Sequence, residues 1–326
     1  ALDFHIKGKS GKIEINSSKP LTTKRDLSLA YSPGVAAPVK EIAKNPDLVY
    51  DYTSKGNLVA VISNGSAILG LGNLGSLASK PVMEGKSVLF KRFADIDSID
   101  IEINNNNTDS IIDTIKNISG TFGGINLEDI AAPDCFIVEQ KLKEILDIPV
   151  FHDDQHGTAI ITTAALINAL DVSKKKINNV KIVVNGAGAS AQACTNLFKS
   201  SGVKSENIIM CDSKGVIYKG RKNIDQFKSA FAVSTNLRTL KEAIKNAVES
   251  AGGKFIGFYG LIGQDFEVMI ISEFEKLTDY MSVIASAIIN RGITDIKTVH
   301  CYTGEDVKIA ATKALSGEIK YKAADS

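Results

Sequence analysis

TFGGINLEDIAAPDCFIVEQKLKEILDIPVFHDDQHGT, residues 121–158, contains the pattern from which the fold of this chain is predicted. Two short apolar runs with strand character, residues 124–127 and 148–151, are each followed by an acidic pair. Between these runs, apolar residues recur at roughly helical spacing from Cys135 to Leu146. Pro149 lies inside the second run, which predicts that the second strand begins there or starts irregularly. The stretch therefore predicts a strand, a helix and a second strand.

The two acidic pairs are Glu128 with Asp129 and Asp153 with Asp154. A helical crossover joins parallel strands, so we expect both pairs at the same edge of one sheet. Carboxylates that converge repel one another unless a cation lies among them, and all-oxygen ligands suit Mg²⁺ or Mn²⁺ better than Zn²⁺. The alternative is that these acids cap the helices that follow the strands.

Composition predicts a globular protein of two domains. The chain has 326 residues, 44% of them hydrophobic, and a net charge of +1 with both signs interspersed. This balance gives no sign of a nucleic-acid partner or of an anionic membrane surface. No apolar run approaches the roughly 20 residues of a membrane span, and the N-terminus lacks a signal-peptide core. The cysteines show no metal or disulfide spacing, which indicates a cytoplasmic protein. They are Cys135, Cys194, Cys211 and Cys301.

A second motif follows a predicted strand at residues 180–184. It has the form G-x-G-x-x-A and opens a predicted helix, as in dinucleotide-binding folds, where the glycines allow a pyrophosphate to approach the helix N-terminus. Its residues are Gly186, Gly188, Ala189 and Ala191. Asp212, 21 residues past Ala191, ends the next predicted strand and is expected to bind ribose hydroxyls. Ser213 and Lys214 could instead accept a 2′-phosphate, so the choice between NAD and NADP stays open. The alternative is a strand-to-helix turn without a ligand.

A weaker glycine motif, G-x-G-x-x-G, follows a predicted strand at residues 58–63. It comprises Gly70, Gly72 and Gly75, with Asn73 between the last two. Pro81 is expected to interrupt any helix that this motif opens. We therefore predict a tight loop with exposed backbone beside a binding site, and the alternative is a pair of turns.

Two further side chains have chemistry that a site could use. Asp26 is expected to cap a short helix that Pro33 stops, which places Tyr31 at the end of that helix. Lys86 lies early in a predicted helix near apolar residues, and a lysine near carboxylates can be tuned for proton transfer. A buried structural tyrosine and a solvated surface lysine are the commoner alternatives.

The remaining segments predict further helices and strands. A buried helix is expected at residues 158–170, with the domain boundary near it. Predicted strands are 93–103, 207–211 and 255–261; predicted helices are 239–250 and 306–315; and residues 274–281 and 284–289 are predicted as helix or strand.

Six motifs in order resemble the malic enzymes, and most of all the bacterial NADP-dependent type, whose malic-enzyme portion is fused to a phosphotransacetylase-like domain. They include SLAYSPGVAAP, KPVMEGKSVLFKRFADID, FGGINLEDIAAPDCF and IPVFHDDQHGTAI. They lie at residues 28–38, 57–75, 80–97, 122–136, 148–160 and 211–221. The resemblance implies an α/β fold of two domains: an N-terminal catalytic and metal domain, 1–158, and a Rossmann-type NAD(P)-binding domain with a C-terminal helix, 159–326.

The resemblance also implies oxidative decarboxylation of L-malate to pyruvate and CO₂ with reduction of NAD(P)⁺, NADP⁺ being favoured. Tyr31 then matches the family's general acid, and Lys86 its general base, with a pKa lowered by burial. Glu128, Asp129 and Asp154 match the ligands of Mg²⁺ or Mn²⁺. A homodimer or larger homo-oligomer is implied as well.

The resemblance is lost after Asn246 and recovers only near residues 289–297 and in the closing helix. Two asparagine-bearing segments that contact nicotinamide and substrate in the family have no counterpart here, through divergence, deletion or omission of residues. Two other functions follow from that difference. One is a weakened paralogue that binds dinucleotide as a regulatory or interaction protein, and the other is a metal-dependent oxaloacetate decarboxylase.

Overall fold

A computed structural model describes residues 1–69, 71–250 and 252, together with the backbone of two strands, 254–260 and 268–273. The chain divides into two compact units, Ala1–Thr158 and Ala159–Ser326. Gly70, Cys301 and the predicted segments at 274–281, 284–289 and 306–315 lie outside the described residues.

The first unit contains four strands: β1 Leu58–Ser63, β2 Asp97–Glu102, β3 Gly124–Leu127 and β4 Val150–His152. Its helices are α1 Leu2–Ile6, α2 Lys24–Ala30, α3 Ala36–Lys44, α4 Val49–Tyr52, α5 Ser76–Ala94, α6 Thr108–Ile118 and α7 Asp134–Ile145. Helix α8, Asp153–Ser173, begins in this unit and continues into the second.

The four strands form one parallel sheet in the order β2-β1-β3-β4. Helix α7 connects β3 to its neighbour β4, which confirms the predicted strand, helix and strand. Strand β4 begins directly after Pro149, as its missing N–H requires. All four residues of β3 are buried, because an inner parallel strand is covered on both faces. The carboxyl ends of β3 and β4 meet at one edge, where Leu127 lies opposite His152.

Helix α2 begins differently from the prediction. Its N-cap is Thr23 and not Asp26, which is the third residue of the helix. The Thr23 hydroxyl accepts a hydrogen bond from the Asp26 N–H, while the Asp26 carboxylate accepts one from the Thr23 N–H. This capping box pairs two N–H groups that the helix itself leaves free, which Asp26 alone would not do.

Helix α5 continues through Pro81, so the prediction that this proline interrupts the helix is wrong. Ser79, Met83 and Ser87 are buried at intervals of four residues, and this packed face offsets the one backbone hydrogen bond that proline removes. The helix also extends to Ala94 and ends with Asp95 in the left-handed conformation, at φ 54. The predicted strand at 93–103 is therefore shorter and begins only at β2.

The second unit contains β5 Ile182–Asn185, β6 Ile208–Asp212, β7 Gly215–Val216, β8 Lys254–Gly260 and β9 Val268–Glu273. Its helices after α8 are α9 Ala189–Ser200, α10 Gln226–Ser229 and α11 Leu240–Ser250. Strands β5 and β6 pair in parallel, β7 runs antiparallel to β6, and β8 pairs antiparallel with β9. The predicted order of strand, glycine turn, helix and strand is confirmed. Its core includes Leu166, Leu170, Ile182, Val184, Phe198 and Met210.

Among the helices in the described part of the chain, none combines the length and apolar character needed to cross a membrane.

Candidate functional site

Three carboxylates meet at the edge of the first sheet. Glu128 and Asp129 follow β3, and Asp154 lies in the first turn of α8, directly after β4. One oxygen from each residue lies within 4.8 Å of the others. Glu128 and Asp129 are buried, while Asp154 is half-buried. The parallel arrangement of β3 and β4 thus brings together acids that are 25 residues apart in the chain.

The carboxylate cluster of Glu128, Asp129 and Asp154 is electrostatically unfavourable without a cation. Burial, followed by the charge of Asp154, raises the pKa of Glu128 to about 7. The same two causes raise the pKa of Asp129 to about 6. Asp129 Oδ2 is buried without a hydrogen-bond partner among the described residues. An all-oxygen set with an unpaired buried atom suits a hard divalent cation.

Backbone geometry holds this cluster in place. Asp129 adopts a left-handed conformation, φ 52, which aspartate tolerates better than most residues do. Its N–H donates to Asp154 Oδ2 at 2.9 Å, which ties the end of β3 to the start of α8. Asn126, a polar residue within the apolar strand β3, donates from Nδ2 to Glu128 Oε2 at 2.9 Å. That isolated polar position is the signal by which sequence reasoning could have found Asn126.

Lys86, on α5, contacts the acids of both strand ends. Its Nζ lies 2.7 Å from Asp153 Oδ2 and 3.3 Å from Glu128 Oε1. Burial alone would lower the pKa of Lys86, but the hydrogen bond to Asp153 and the charge of Glu128 raise it overall. The expectation of a lowered pKa is therefore wrong for this arrangement, because it considered burial without the ion pairs. Asp153 and Asp154 thus have different partners: Asp153 pairs with the lysine, and Asp154 joins the carboxylate cluster.

Tyr31 lies on the surface of the first unit. It is the C-cap residue of α2 and is 77% exposed, so the alternative of a buried structural tyrosine is wrong. Within the described residues, its hydroxyl makes no hydrogen bond to Lys86 or to the carboxylate cluster.

The glycine loop between β1 and α5 lies against the cluster. Gly72 and Gly75 have positive φ, 92 and 86, and the Ile68 N–H donates to the Gly72 carbonyl at 3.1 Å. The Leu69 amide hydrogen-bonds the Asp129 carboxylate, and the Ala67 N–H donates to the Asp129 carbonyl at 3.0 Å. The loop is tight and continues directly into α5. Asn73 lies within it, and a dinucleotide contact from Gly72, Asn73 and Gly75 stays a prediction.

The second glycine motif joins β5 to α9. Gly186 has φ 124, and its N–H donates to the Cys211 carbonyl at 2.7 Å, which fixes the turn against β6. Gly188 is the N-cap of α9, and an added Cβ there would meet no atom within 4 Å. Ala189 begins the helix, and Ala191 is buried in the core. Among the described residues no side chain caps α9, and a helix N-terminus of this kind is suited to an anionic group.

Asp212 ends β6 and is already paired. Arg221 Nη2 donates to both of its carboxylate oxygens, at 2.7 and 2.9 Å. The two side chains are only 13% and 8% exposed, respectively. The Lys214 N–H also donates to Asp212 Oδ1 at 2.9 Å, and Ser213 lies between them in the turn. The sequence analysis assigned no role to Arg221. The available signal was its position nine residues after Asp212, beyond the short strand β7.

Two family models match the chain. One, described as "Malic enzyme, N-terminal domain", covers residues 10–143, and the other, "Malic enzyme, NAD binding domain", covers residues 155–290. The chain belongs to the malic enzyme family. Lys86, Glu128 and Asp129 lie within the first matched range, and Asp154 lies between the two ranges. The second glycine motif lies within the range of the NAD-binding domain. The fold is α/β, as the sequence predicted.

Similar proteins include both NADP-dependent and NAD-dependent malic enzymes. The chain is 63% identical over 248 residues to an NADP-dependent malic enzyme of Rhizobium meliloti (strain 1021), covering 76% of this chain and 33% of that protein. It is 55% identical over 248 residues to an NAD-dependent malic enzyme of the same strain, covering 76% of this chain and 32% of that protein. The chain thus spans about a third of the length of these relatives.

Two solved malic enzymes have a fold similar to that of this chain. A malic enzyme from Pyrococcus horikoshii Ot3 matches with a TM-score of 0.72 at 46% identity, over 76% of this chain and 60% of that protein. An NAD-dependent malic enzyme from Thermotoga maritima matches with a TM-score of 0.70 at 42% identity, over 73% of this chain and 64% of that protein.

Proposed function

We propose that this chain catalyses the oxidative decarboxylation of L-malate to pyruvate and CO₂, with reduction of NADP⁺ and a requirement for Mg²⁺ or Mn²⁺. The observation that carries the proposal is the contact of Lys86 with both Asp153 and Glu128, beside the carboxylate cluster. A base and a cation site adjacent to each other are what oxidation of a 2-hydroxy acid needs.

Glu128, Asp129 and Asp154 are the residues proposed to hold the cation. When bound, the cation would polarise the substrate's oxygens, stabilise the negative charge left when CO₂ departs, and offset the carboxylate charge that raises the Lys86 pKa. The raised pKa of Glu128 and the unpaired Asp129 Oδ2 support this assignment. Asn126 donates a hydrogen bond to Glu128, and the Asp129 N–H donates one to Asp154, so two of the three carboxylates are oriented before a cation binds.

Lys86 is proposed as the general base. Once a bound cation has offset the carboxylate charge, its neutral amine would accept the proton of the C2 hydroxyl, and the nicotinamide would supply the hydride acceptor. Asp153 orients the amine through the contact at 2.7 Å. Helix α5 supplies the rigid support, because Met83 and Ser87 on either side of Lys86 are buried. Tyr31 is proposed to protonate C3 after CO₂ has left, on the strength of the family resemblance.

NADP⁺ is the cofactor that the second unit supports best. A free carboxylate at the end of β6 would accept ribose hydroxyls and repel a 2′-phosphate. Here Arg221 compensates Asp212 through two hydrogen bonds, and Lys214 and Ser213 follow in the turn. The charge at this strand end is therefore balanced or positive, which favours a phosphate. The pyrophosphate is proposed to bind at Gly186, Gly188 and the α9 N-terminus.

The proposal also covers the roles of the two domains and the oligomeric state. Residues 1–158 form the catalytic and metal domain, and residues 159–326 form the dinucleotide domain. A homodimer or larger oligomer is supported by exposed apolar side chains on α2 and α3, namely Leu27, Leu29 and Val39. Light scattering of the protein in solution tests the assembly, and a monomer at every concentration would refute it.

The experiment compares Lys86→Ala with Lys91→Ala. Both lysines lie on α5, but Lys91 is exposed and pairs only with Asp95 and Asp97 among the described residues. Lys86→Ala should lower kcat for malate oxidation by about 10²-fold or more, the usual loss on removing a general base. The NADP⁺ Kd should stay within about twofold in both variants, because neither lysine is among the residues proposed to contact the dinucleotide. Equal loss of activity and of dinucleotide binding would instead indicate misfolding and would remove Lys86 as the base.

A further inference from the structure

Glu139 is a buried carboxylate on α7 that the proposed chemistry does not use. Its side chain is 8% exposed, yet it is surrounded by hydrogen-bond donors. Lys143 Nζ donates to Oε1 at 2.7 Å from one turn further along the same helix. Burial alone would raise the pKa of Glu139, but hydrogen bonds from His156 and Lys143 lower it overall. Glu139 is therefore an ionised group held inside the first unit.

The other three donors come from one short segment, the junction of β4 and α8. The His152 N–H donates to Glu139 Oε1 at 3.2 Å, and His156 Nε2 donates to the same oxygen at 2.7 Å. Gln155 Nε2 donates to Oε2 at 3.3 Å. Because a carboxylate only accepts hydrogen bonds, His156 must carry its proton on Nε2.

These donors bracket the acidic pair. His152 immediately precedes Asp153 and Asp154, and Gln155 and His156 immediately follow them. Glu139 therefore holds the chain on both sides of two consecutive residues, one of which contacts Lys86 while the other belongs to the carboxylate cluster. A rotation of this turn would displace both carboxylates together.

Packing alone does not account for a carboxylate at this position. An apolar side chain on α7 would fill the same space without the cost of desolvating a charge, which is several kcal/mol unless it is paired. What an apolar side chain would not supply is three directional hydrogen bonds to the junction of β4 and α8. Outer partners of this kind orient the groups that bind a metal, and their loss typically weakens metal affinity by about 10- to 100-fold.

We propose that Glu139 is a positioning residue, which sets the geometry of Asp153 and Asp154 for the lysine and for the cation by clamping the junction of β4 and α8. The inference rests on the metal site of the proposed function. It predicts that Glu139 acts on metal affinity and leaves dinucleotide binding alone.

The test measures Mn²⁺ binding directly, by electron paramagnetic resonance of free Mn²⁺, in the parent protein, Glu139→Gln and Lys143→Met. Glu139→Gln keeps the shape of the side chain and removes the charge, and it should raise the Mn²⁺ Kd by about tenfold or more. Lys143→Met removes the one donor outside the junction and should change that Kd by less than about twofold. The NADP⁺ Kd, measured by calorimetry, should stay within about twofold in both variants.

His156→Phe provides a second variant in case Glu139→Gln does not fold. It removes the shortest donor of the junction but keeps an aromatic ring beside Phe151, whose ring centre lies 5.4 Å away. We expect a severalfold rise in the Mn²⁺ Kd. A parent protein that binds Mn²⁺ and folded variants that bind it equally well would overturn the role of Glu139 alone. A parent protein that binds no Mn²⁺ would overturn the proposed function as well.

Discussion

Replacing Glu102 by glutamine should stabilise the protein at pH 8 and leave its stability at pH 5 nearly unchanged. Glu102 ends β2, with its side chain 14% exposed, and hydrogen-bonds the Asp100 side chain, which is 4% exposed. Lys80 on α5 forms ion pairs with both acids, but its Nζ is 3.7 Å from Glu102 Oε2 and closer to Asp100. Glu102 Oε1 is buried and has no hydrogen-bond partner in the described part of the chain.

The two acids divide the available proton unequally. Burial, then the hydrogen bond and charge of Asp100, raises the pKa of Glu102 from 4.5 to about 7. Burial alone would raise the pKa of Asp100 too, but hydrogen bonds from Glu102 and Lys80 lower it. Below about pH 7 the pair therefore holds one proton, on Glu102, and Asp100 is the anion that accepts from it.

The direction in which stability changes with pH follows from the raised pKa of Glu102. A group whose pKa is higher in the folded state binds its proton more tightly there, so its contribution to stability is full below pH 4.5 and is lost as the pH rises through about 7. Each unit of pKa corresponds to about 1.4 kcal/mol, and after allowance for residual solvent contact the loss by pH 8 is about 2 kcal/mol. Asp100 stays ionised from pH 5 to pH 8 and contributes no change in that window. A glutamine amide can donate to Asp100 as the protonated acid does, at every pH.

Urea unfolding of the parent protein, Glu102→Gln and Glu41→Gln at pH 5 and pH 8 measures this effect. Glu41 is a solvent-accessible acid of α3, paired with Lys44, and serves as the matched loss of one carboxylate. Other buried acids titrate in the same window, but they are common to all three proteins and cancel in the differences. A Glu102→Gln variant whose stability follows that of the parent in parallel from pH 5 to pH 8 would refute the assignment of the proton to Glu102.

Three other substitutions test separate parts of the structure. Asp154→Asn should raise the Mn²⁺ concentration needed for half-maximal activity by about tenfold, and an unchanged requirement would remove Asp154 from the metal ligands. Arg221→Met should shift the ratio of kcat/KM for NADP⁺ over NAD⁺ toward NAD⁺ by about tenfold, because Asp212 is then uncompensated; a constant ratio would separate Arg221 from cofactor choice. Lys55→Met should cost about 1–3 kcal/mol in thermal unfolding, since Lys55 is buried and donates to the Phe122 carbonyl, which would lose its partner; a loss below about 0.5 kcal/mol would contradict this.

The fold was predictable where local pattern and topology agree. The apolar runs around Asn126 and Val150, with a helical segment between them, require parallel strands, and that requirement alone brings Asp129 and Asp154 to one edge. The same holds for the turn at Gly186 and Gly188, where a strand precedes the glycines and a helix follows them. In these segments the order of strands, helices and turns along the sequence is enough to predict how they pack together.

Local rules failed where packing decides the outcome. Pro81 was expected to end a helix, yet burial of Ser79 and Met83 carries α5 through it. Asp26 was expected to be an N-cap, yet its carboxylate serves Thr23 from within the first turn. Pro81 lies inside α5, where the buried face decides that the helix continues, and Asp26 lies in the first turn of α2, where the Thr23 backbone decides which N–H its carboxylate pairs.

Partners distant in sequence were the least predictable part of the site. The pKa of Lys86 was expected to be lowered by burial, whereas Asp153, 67 residues away in the chain, forms a hydrogen bond with it that helps to raise the pKa. Glu139 and Arg221 likewise acquire their roles from chain segments that only the fold brings near. A charged residue in an apolar pattern signals that a partner exists, but its identity is a property of the tertiary structure.

The proposed reaction is tested by the absorbance of reduced nicotinamide with L-malate, Mn²⁺ and NADP⁺, and in a parallel sample with NAD⁺. We expect a rise that requires both malate and Mn²⁺ and that is faster with NADP⁺. No rise with either cofactor, in a protein that still binds Mn²⁺ and dinucleotide, would contradict the account. Release of CO₂ from oxaloacetate by the same sample would then show that decarboxylation proceeds without hydride transfer.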